Sequence, residues 1–593
     1  MLRVVLLLAA AAAAAAAPTP KQLGGPPEEF AQHVIPDPAN GGVASRAATY
    51  WVKLQPAGAD GQVSWTTRMP LDSHGFQFAV FSPELSSLTV ELRDPTGAVV
   101  PLSSYEMASG YPVGDSSAYD KAVLYSLPNM TCLGVFTLTL SAPAAAFAGA
   151  DPLDYDAYVL LQSESQDLLY TRLASYECLL QGKQVTLLAQ MFDSAQQPFT
   201  GYGFRPRANA NDTILSAELQ ARFPDGHWET TEMHDDGLHG DGAADDGEFG
   251  GALQLSQAGN YQLQAAFHGK NAAGEFVRVS EHLLTVVPPS VQLTGRAIGQ
   301  ARVLQHRLDM HLLLSTAARG VANGTRYRAY AEVWAPARAS GQLTPVTWAS
   351  SMVQVHTVLG RPAVTLEIDL KWLLRAKVKL PLTLKNVYLQ DATSFVPVTT
   401  ADSIGLQVRN EGDLAALDSI AYDGVSITRE MRQGITPDHI LKAAASNSSP
   451  RLVLVHGYCS SQNPWLNTKS LWPADALYFE DVHQARPHDE FARLILEFIE
   501  ANNVDKCAFV GHSQGGIVTS HILNSYFTCA DANDRPGRKH TSLGSPYLGC
   551  TGAGGYADLL RLLGGCGSNF DLTPDGANLW CAQRERERER ERE

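Results

Sequence analysis

The chain has 593 residues, 45% of them hydrophobic and 18% charged, a length that exceeds what one hydrophobic core organises and sets an expectation of about three or four domains. With 45 Lys+Arg against 61 Asp+Glu the formal charge is −16, which argues against partners held by bulk positive charge, nucleic acid and anionic membrane surfaces among them.

At the amino end Arg3 precedes an unbroken apolar run over 4–17, followed by PTPKQ. A basic start, a short apolar stretch and small residues before the first polar ones describe a secretory signal peptide over 1–17. The run is too short to cross a bilayer, which takes about 20 residues, and no later segment is long and apolar enough to span. The expectation is a secreted, extracellular protein with no transmembrane span. Sequons at Asn129, Asn211, Asn323 and Asn447 agree with that compartment. Of the eight cysteines only Cys132 and Cys178 precede position 459, so pairing local to a domain would join those two. The pairing of the other six stays open, except that Cys507, inside a strand pattern, reads as a free buried thiol. No Cys/His spacing suggests zinc.

From about 49 to 289 short β runs such as FQFAVF, SLTVELRD, GVFTLTLSA, QVTLLAQMF and NYQLQAAFHG alternate with turn residues. That grammar predicts antiparallel sandwiches: one over 18–182 and one of immunoglobulin-like size over 183–289. The run HDDGLHGDGAADDGEFGG at 234–251 reads two ways. Asp235, Asp236, Asp241 and Asp246 would supply oxygens to a structural Ca²⁺, with glycines allowing tight turns. Alternatively the run is an Asx-rich connector. It resembles the DDGxxGDxxAxDGxY-like loop of extracellular immunoglobulin-like modules, and either way it reads as architecture. A third β-rich domain, read as another sandwich, is expected over 290–409, and a linker over 410–450.

After position 451 the grammar changes. RLVLVHG and DALYFED read as strands, DEFARLILEFIEANN as an amphipathic helix, CAFVG as a strand, GGIVTSHIL as a helix and KHTSLGS as a strand. Strands alternating with helices predict a parallel α/β sheet over 451–583. Within it GHSQG follows a strand and opens a helix, the setting of a nucleophile elbow with Ser513 at its apex. HGY at 456–458 ends the preceding strand, where the backbone amides of Tyr458 and Gln514 would form an oxyanion hole. SLGSPYLG at 542–549 is a third element in order.

Together these three motifs resemble the secreted α/β-hydrolase family of lipase/esterase character, over less than a quarter of the chain. The resemblance implies carboxylic ester hydrolysis through Ser513, an ester or lipid substrate and no required cofactor. It also implies an acid and then a histidine after the serine, and neither is found in place. His521 lies about 12 Å down the elbow helix and His540 opens a strand at the far sheet edge. Asp558, Asp571 and Asp575 read as structural residues of a lid-like insertion, and His456 and His488 precede the serine. The Arg-Glu alternation over 584–593 reads as a solvated low-complexity tail, matching an AGAGAG repeat in one frame, so the expectation is a C-terminally truncated, incomplete hydrolase domain with little or no turnover. The chain as a whole more distantly resembles secreted proteins labelled conditioned medium factor. That resemblance implies an extracellular role, and with it a competing reading: a noncatalytic adhesive or signalling factor whose sandwiches bind a protein or glycan partner.

Overall fold

The periodicity of the first four hundred residues produces antiparallel strands. In this computed structural model residues 18–581 are described, apart from 33, 55–60, 83–84, 110–121, 148–156, 166, 194–212, 317–320, 410–419, 461–463, 482, 484, 534–538, 556 and 558–565. The signal segment, Asn211, Asp558, part of the linker and the Arg-Glu tail lie outside the described residues.

The first β domain is a sandwich. A five-stranded sheet runs Ala47–Val52, Ala157–Ser163, Phe76–Phe81, Ala122–Leu127, Glu106–Ser109, and a three-stranded sheet runs Gln62–Leu71, Gly134–Pro143, Thr89–Arg93. Inward residues of both, Phe76, Phe78, Phe136, Leu138 and Val159 among them, form one core, as alternation along strands requires.

The second is also a sandwich, with one four-stranded sheet built on Gln184–Asp193 and another built on Gly259–Asn271 and Gly274–Val286. The strand Asp167–Leu173 pairs antiparallel with Gln184–Asp193 and so lies in this sandwich, not in the first as the boundary at 182 implied. Alternation shows that a segment is a strand but not which strand it pairs with.

The third β domain folds over on itself as the expected sandwich, its strand Leu343–Gln354 lying against Arg361–Asp369 although the two are far apart in the sheet order. Nine strands form one hydrogen-bonded sheet, because Val291–Arg302 and Pro397–Val408 pair in parallel and join what would otherwise be two sheets. Its edge is extended by Leu23–Gly25, which pairs with Leu343–Gln354.

The C-terminal region has a sheet in the order Leu477–Phe479, Arg451–Val455, Cys507–His512, His540–Leu543, every neighbour pair parallel. Helix His488–Ala501 turns Phe491, Ala492, Ile495, Leu496 and Ile499 inward, the 3.6-residue period seen in its sequence. Helix Gln514–Ser525 follows the third strand directly.

These domains are not beads on a string. A single buried apolar cluster runs from Leu187 and Leu283 of the second sandwich, through Leu366 and Leu389 of the third β domain, into Ile495, Phe509 and Ile517. Buried polar pairs fasten the same joints. Arg278 bridges the first two sandwiches, its Nη2 2.7 and 2.9 Å from the Asp72 carboxylate oxygens and its Nε 3.0 Å from the Asp167 carbonyl. Lys21 reaches Asp531 at 3.0 Å and the Leu523 carbonyl at 2.6 Å. Burial lowers the Lys21 ammonium pKa, against the pull of Asp531.

The cysteines correct two expectations. Cys507 is bonded to Cys529, and Cys459 to Cys566. The chain after the elbow helix returns along the Cys507 strand, where the Cys507 N–H donates to the Cys529 carbonyl at 3.3 Å, and this return brings the two sulfurs together. Cys132 and Cys178 are free thiols. Cys178 donates to the Ser175 carbonyl at 2.9 Å, and burial raises its pKa to about 11.

Candidate functional site: the strand–helix turn at Ser513

Ser513 stands between strand Cys507–His512 and helix Gln514–Ser525 with φ 54° and ψ −126°. A non-glycine residue there costs of order 1–3 kcal/mol and persists only where its surroundings hold it. The holding groups are visible. The Ser513 N–H donates to the Leu543 carbonyl at 2.9 Å, and the Gly516 N–H to the Ser513 carbonyl at 3.1 Å. The flanking glycines have no alternative: a Cβ on Gly511 would lie 2.5 Å from the Gly515 backbone, and one on Gly515 would lie 2.4 Å from the His456 carbonyl. The serine side chain is half-buried and does not cap the helix it precedes.

The loop after Arg451–Val455 meets this turn. Gly457 sits so close that a Cβ there would stand 2.6 Å from the Ser513 Cβ and 3.1 Å from its Oγ. Tyr458 therefore follows directly beside the serine, with its hydroxyl donating to the Gly567 carbonyl and the Cys459–Cys566 disulfide one residue on. Gln514 is buried, its side-chain amide donating to the Arg486 carbonyl at 2.7 Å. Ser513, Tyr458 and Gln514 thus come together past the carboxyl ends of the two central strands.

Among the described residues no imidazole hydrogen-bonds the Ser513 hydroxyl. His456 is buried, with Nδ1 2.8 Å from the Gly457 carbonyl and Nε2 2.9 Å from the Asp481 N–H. His512 is exposed, with Trp465 edge-on to its ring at 6.4 Å. His540 meets Ser520 at 3.5 Å. His521 lies in a buried network, Nε2 3.0 Å from Asp489, whose carboxylate also takes the Tyr526 hydroxyl at 2.5 Å and pairs with Arg326 of the third β domain. Burial works to raise the Asp489 pKa, but His521, Arg326 and Tyr526 outweigh it and hold it below the ordinary value. His488 is fully buried against Trp580. Asp571, accepting from the His488 backbone N–H at 2.5 Å, is pushed up to about 7 by burial.

Asp575 belongs to a different constellation. Its carboxylate takes His282 Nδ1 at 2.7 Å and the Tyr176 hydroxyl at 3.0 Å, while His282 Nε2 meets Thr171 at 2.8 Å and Thr171 meets Ser280 at 2.6 Å. This acid–imidazole–hydroxyl relay is buried between the second sandwich and helix Pro574–Cys581. Sequence reasoning missed His282 because its partner lies 293 positions away, and no local motif marks it.

In the acidic loop the carboxylates serve backbone amides. Asp241 accepts from the N–H groups of Asp236, Gly237 and His239, Asp235 from those of Asp246 and Gly247, and Asp246 from those of Ala243 and Glu248. Asp236 accepts from Leu238 N–H and lies 2.9 Å from His239 Nδ1. Each of these carboxylates thus serves backbone groups within the loop. Among the described residues no group of three or more His, Cys, Asp or Glu is placed to hold a metal ion.

Immunoglobulin-like β domains locked onto a C-terminal domain with a parallel sheet define a multidomain, mostly β protein. In chain order its segments match family models for the first, second and third Ig-like domains of conditioned medium factor, at residues 47–161, 167–286 and 328–435, and for the conditioned medium factor C-terminal domain at 447–591. The chain thus has the domain set of the conditioned medium factor family. It is 27% identical over 609 aligned residues to conditioned medium factor of Dictyostelium discoideum, covering 95% of this chain and 84% of that protein. Solved structures are more remote. A DUF4785 family protein from Legionella pneumophila aligns at 10% identity and TM-score 0.39, over 62% of this chain and 90% of that one. The FN1–FN3 domains of chicken CNTN1 align at 8% identity and TM-score 0.20, over 43% of this chain and 83% of that one.

Proposed function

We propose that the protein is a secreted, noncatalytic factor that acts by binding an extracellular protein through its β domains, with the C-terminal domain as scaffold. The observation that carries this reading is the Ser513 hydroxyl, which stands on its turn with no imidazole to take its proton among the described residues. A serine hydroxyl without a general base is a weak nucleophile at neutral pH. The name of the Dictyostelium relative places that protein in conditioned medium. The apolar run before PTPKQ and the exposed sequon residues Asn129, Asn323 and Asn447 fit the same route, and no described helix is long and apolar enough to cross a membrane. The test uses the full chain and a fluorophosphonate reagent. The reading expects no labelling of Ser513, and unchanged partner binding by Ser513→Ala. Labelling of Ser513 that disappears in Ser513→Ala would overturn it.

A second reading, ester hydrolysis of the lipase/esterase kind, is favoured by one observation, the strained backbone of Ser513 at a strand–helix turn. In it Ser513 attacks an ester carbonyl, the amides of Tyr458 and Gln514 hold the oxyanion, and water releases the acyl group. Neither reading calls on a bound cofactor.

A further inference from the structure

We propose that His456 is a positioning residue that sets the plane of the Gly457–Tyr458 peptide and so aims the Tyr458 N–H at the space above Ser513. The inference rests on the ester-hydrolysis reading of that site, in which this N–H is one of two oxyanion donors.

The argument is geometric. His456 is 1% exposed and its ring is held between Phe479, stacked at 6.0 Å, and Phe491 at 5.5 Å. Both ring nitrogens are committed. Nε2 lies 2.9 Å from the Asp481 N–H, which can only donate, so Nε2 is the acceptor and the ring proton is on Nδ1. That Nδ1–H then donates to the Gly457 carbonyl at 2.8 Å. The Gly457–Tyr458 peptide is trans, as the single cis bond among the described residues is Leu380–Pro381. In a trans peptide the C=O and the following N–H lie in one plane and point in opposite directions. A carbonyl held toward the buried His456 ring therefore turns the Tyr458 N–H the other way, to the side where Gly457 meets the Ser513 side chain. Without the ring donor the peptide is free to rotate, and a carbonyl facing the serine would repel an oxyanion instead of holding it.

Three substitutions separate the ring's bulk from its two nitrogens. His456→Phe keeps the aromatic volume and removes both. His456→Asn places an amide N–H where Nδ1 stands, and His456→Gln places one where Nε2 stands. The readout is the second-order rate of Ser513 phosphonylation by a fluorophosphonate, in which the Oγ–P bond forms, the P–F bond breaks, and fluoride and the hydroxyl proton leave to solvent. Loss of an oxyanion donor predicts a rate lower by roughly 100- to 1,000-fold in His456→Phe. Recovery to within about threefold of the parent is expected in His456→Asn but not in His456→Gln. Equal labelling of His456→Phe and the parent, or equal rescue by Asn and Gln, overturns the proposal. If the parent chain itself is not labelled, the ester-hydrolysis reading fails, and crystal structures of parent and His456→Phe decide the proposal alone: a rotated Gly457 carbonyl upholds it and an unchanged one refutes it. If His456→Phe does not fold, the Asn and Gln variants carry the same comparison by either readout.

Discussion

Replacing Asp571 by Asn should stabilise the protein at neutral pH and leave it unchanged in acid. Asp571 is 3% exposed, accepts the His488 backbone N–H, and has the charged groups Asp391 and Asp489 near it. Burial, reinforced by those two carboxylates and opposed by the His488 N–H, raises its pKa from 3.8 to about 7. The sign follows from where the proton is held. Above pH 3.8 the unfolded chain releases this proton while the folded chain keeps it to about pH 7, so folding becomes less favourable as pH rises through that window and levels off above it. A difference of roughly 3 in pKa corresponds to about 4 kcal/mol. Asn keeps an oxygen to accept from His488 and has no charge to bury, so its stability lacks that slope. Urea unfolding at intervals from pH 4 to pH 8 measures the difference directly. Curves for the two proteins that coincide near pH 4 and diverge by pH 7 are expected. Parallel curves across the range, or divergence on the acid side, would refute the reasoning.

Two further outcomes follow, one from a joint between domains and one from a disulfide within the C-terminal domain. Arg278→Ala leaves the Asp72 carboxylate buried without its guanidinium; Ser165 and Asn271 still donate to it, so the loss should fall at the low end of the range for a broken buried pair, about 3 kcal/mol. A urea midpoint unchanged from the parent would show that water reaches this joint. Replacing Cys507 and Cys529 together by Ala opens a loop spanning 22 positions and should cost about 3 kcal/mol through the freed unfolded chain. Equal thermal midpoints of the parent and the double variant would argue that the bridge is absent in the secreted protein.

What the sequence made legible was local. The switch from period-two alternation to strand–helix alternation near position 451 located the parallel sheet, because side-chain periodicity is set by the backbone itself. The glycines around Ser513 marked a turn whose atoms leave no space for a Cβ at 511 or 515. Pairings across distance were not legible. Asp167–Leu173 looks like any half-buried strand until Gln184–Asp193 lies beside it. Cys507 has the surroundings of a buried thiol until the chain returns with Cys529. His282 and Asp575 sit in unrelated local patterns, as do Arg326 and Asp489, and each pair exists only once separate domains have docked. The candidate site divides the same way: its turn is written in five consecutive residues, whereas the commitments of His456 and His521 to other partners depend on tertiary packing.

The hook at Lys21 has a consequence for biogenesis. A ribosome releases this lysine 502 positions ahead of the carbonyl that receives it, and the neighbouring strand Leu23–Gly25 is only three residues long, too short to hold the edge of the nine-stranded sheet unaided. The strand is helped by Thr347, which donates to the Gly25 carbonyl at 2.7 Å, and by Glu29, which takes Trp348 at 3.0 Å and Arg432 at 2.9 Å. The tie of Lys21 to the Leu523 carbonyl and Asp531 can therefore close only after the helix Gln514–Ser525 has been made, so this joint is fastened late in synthesis.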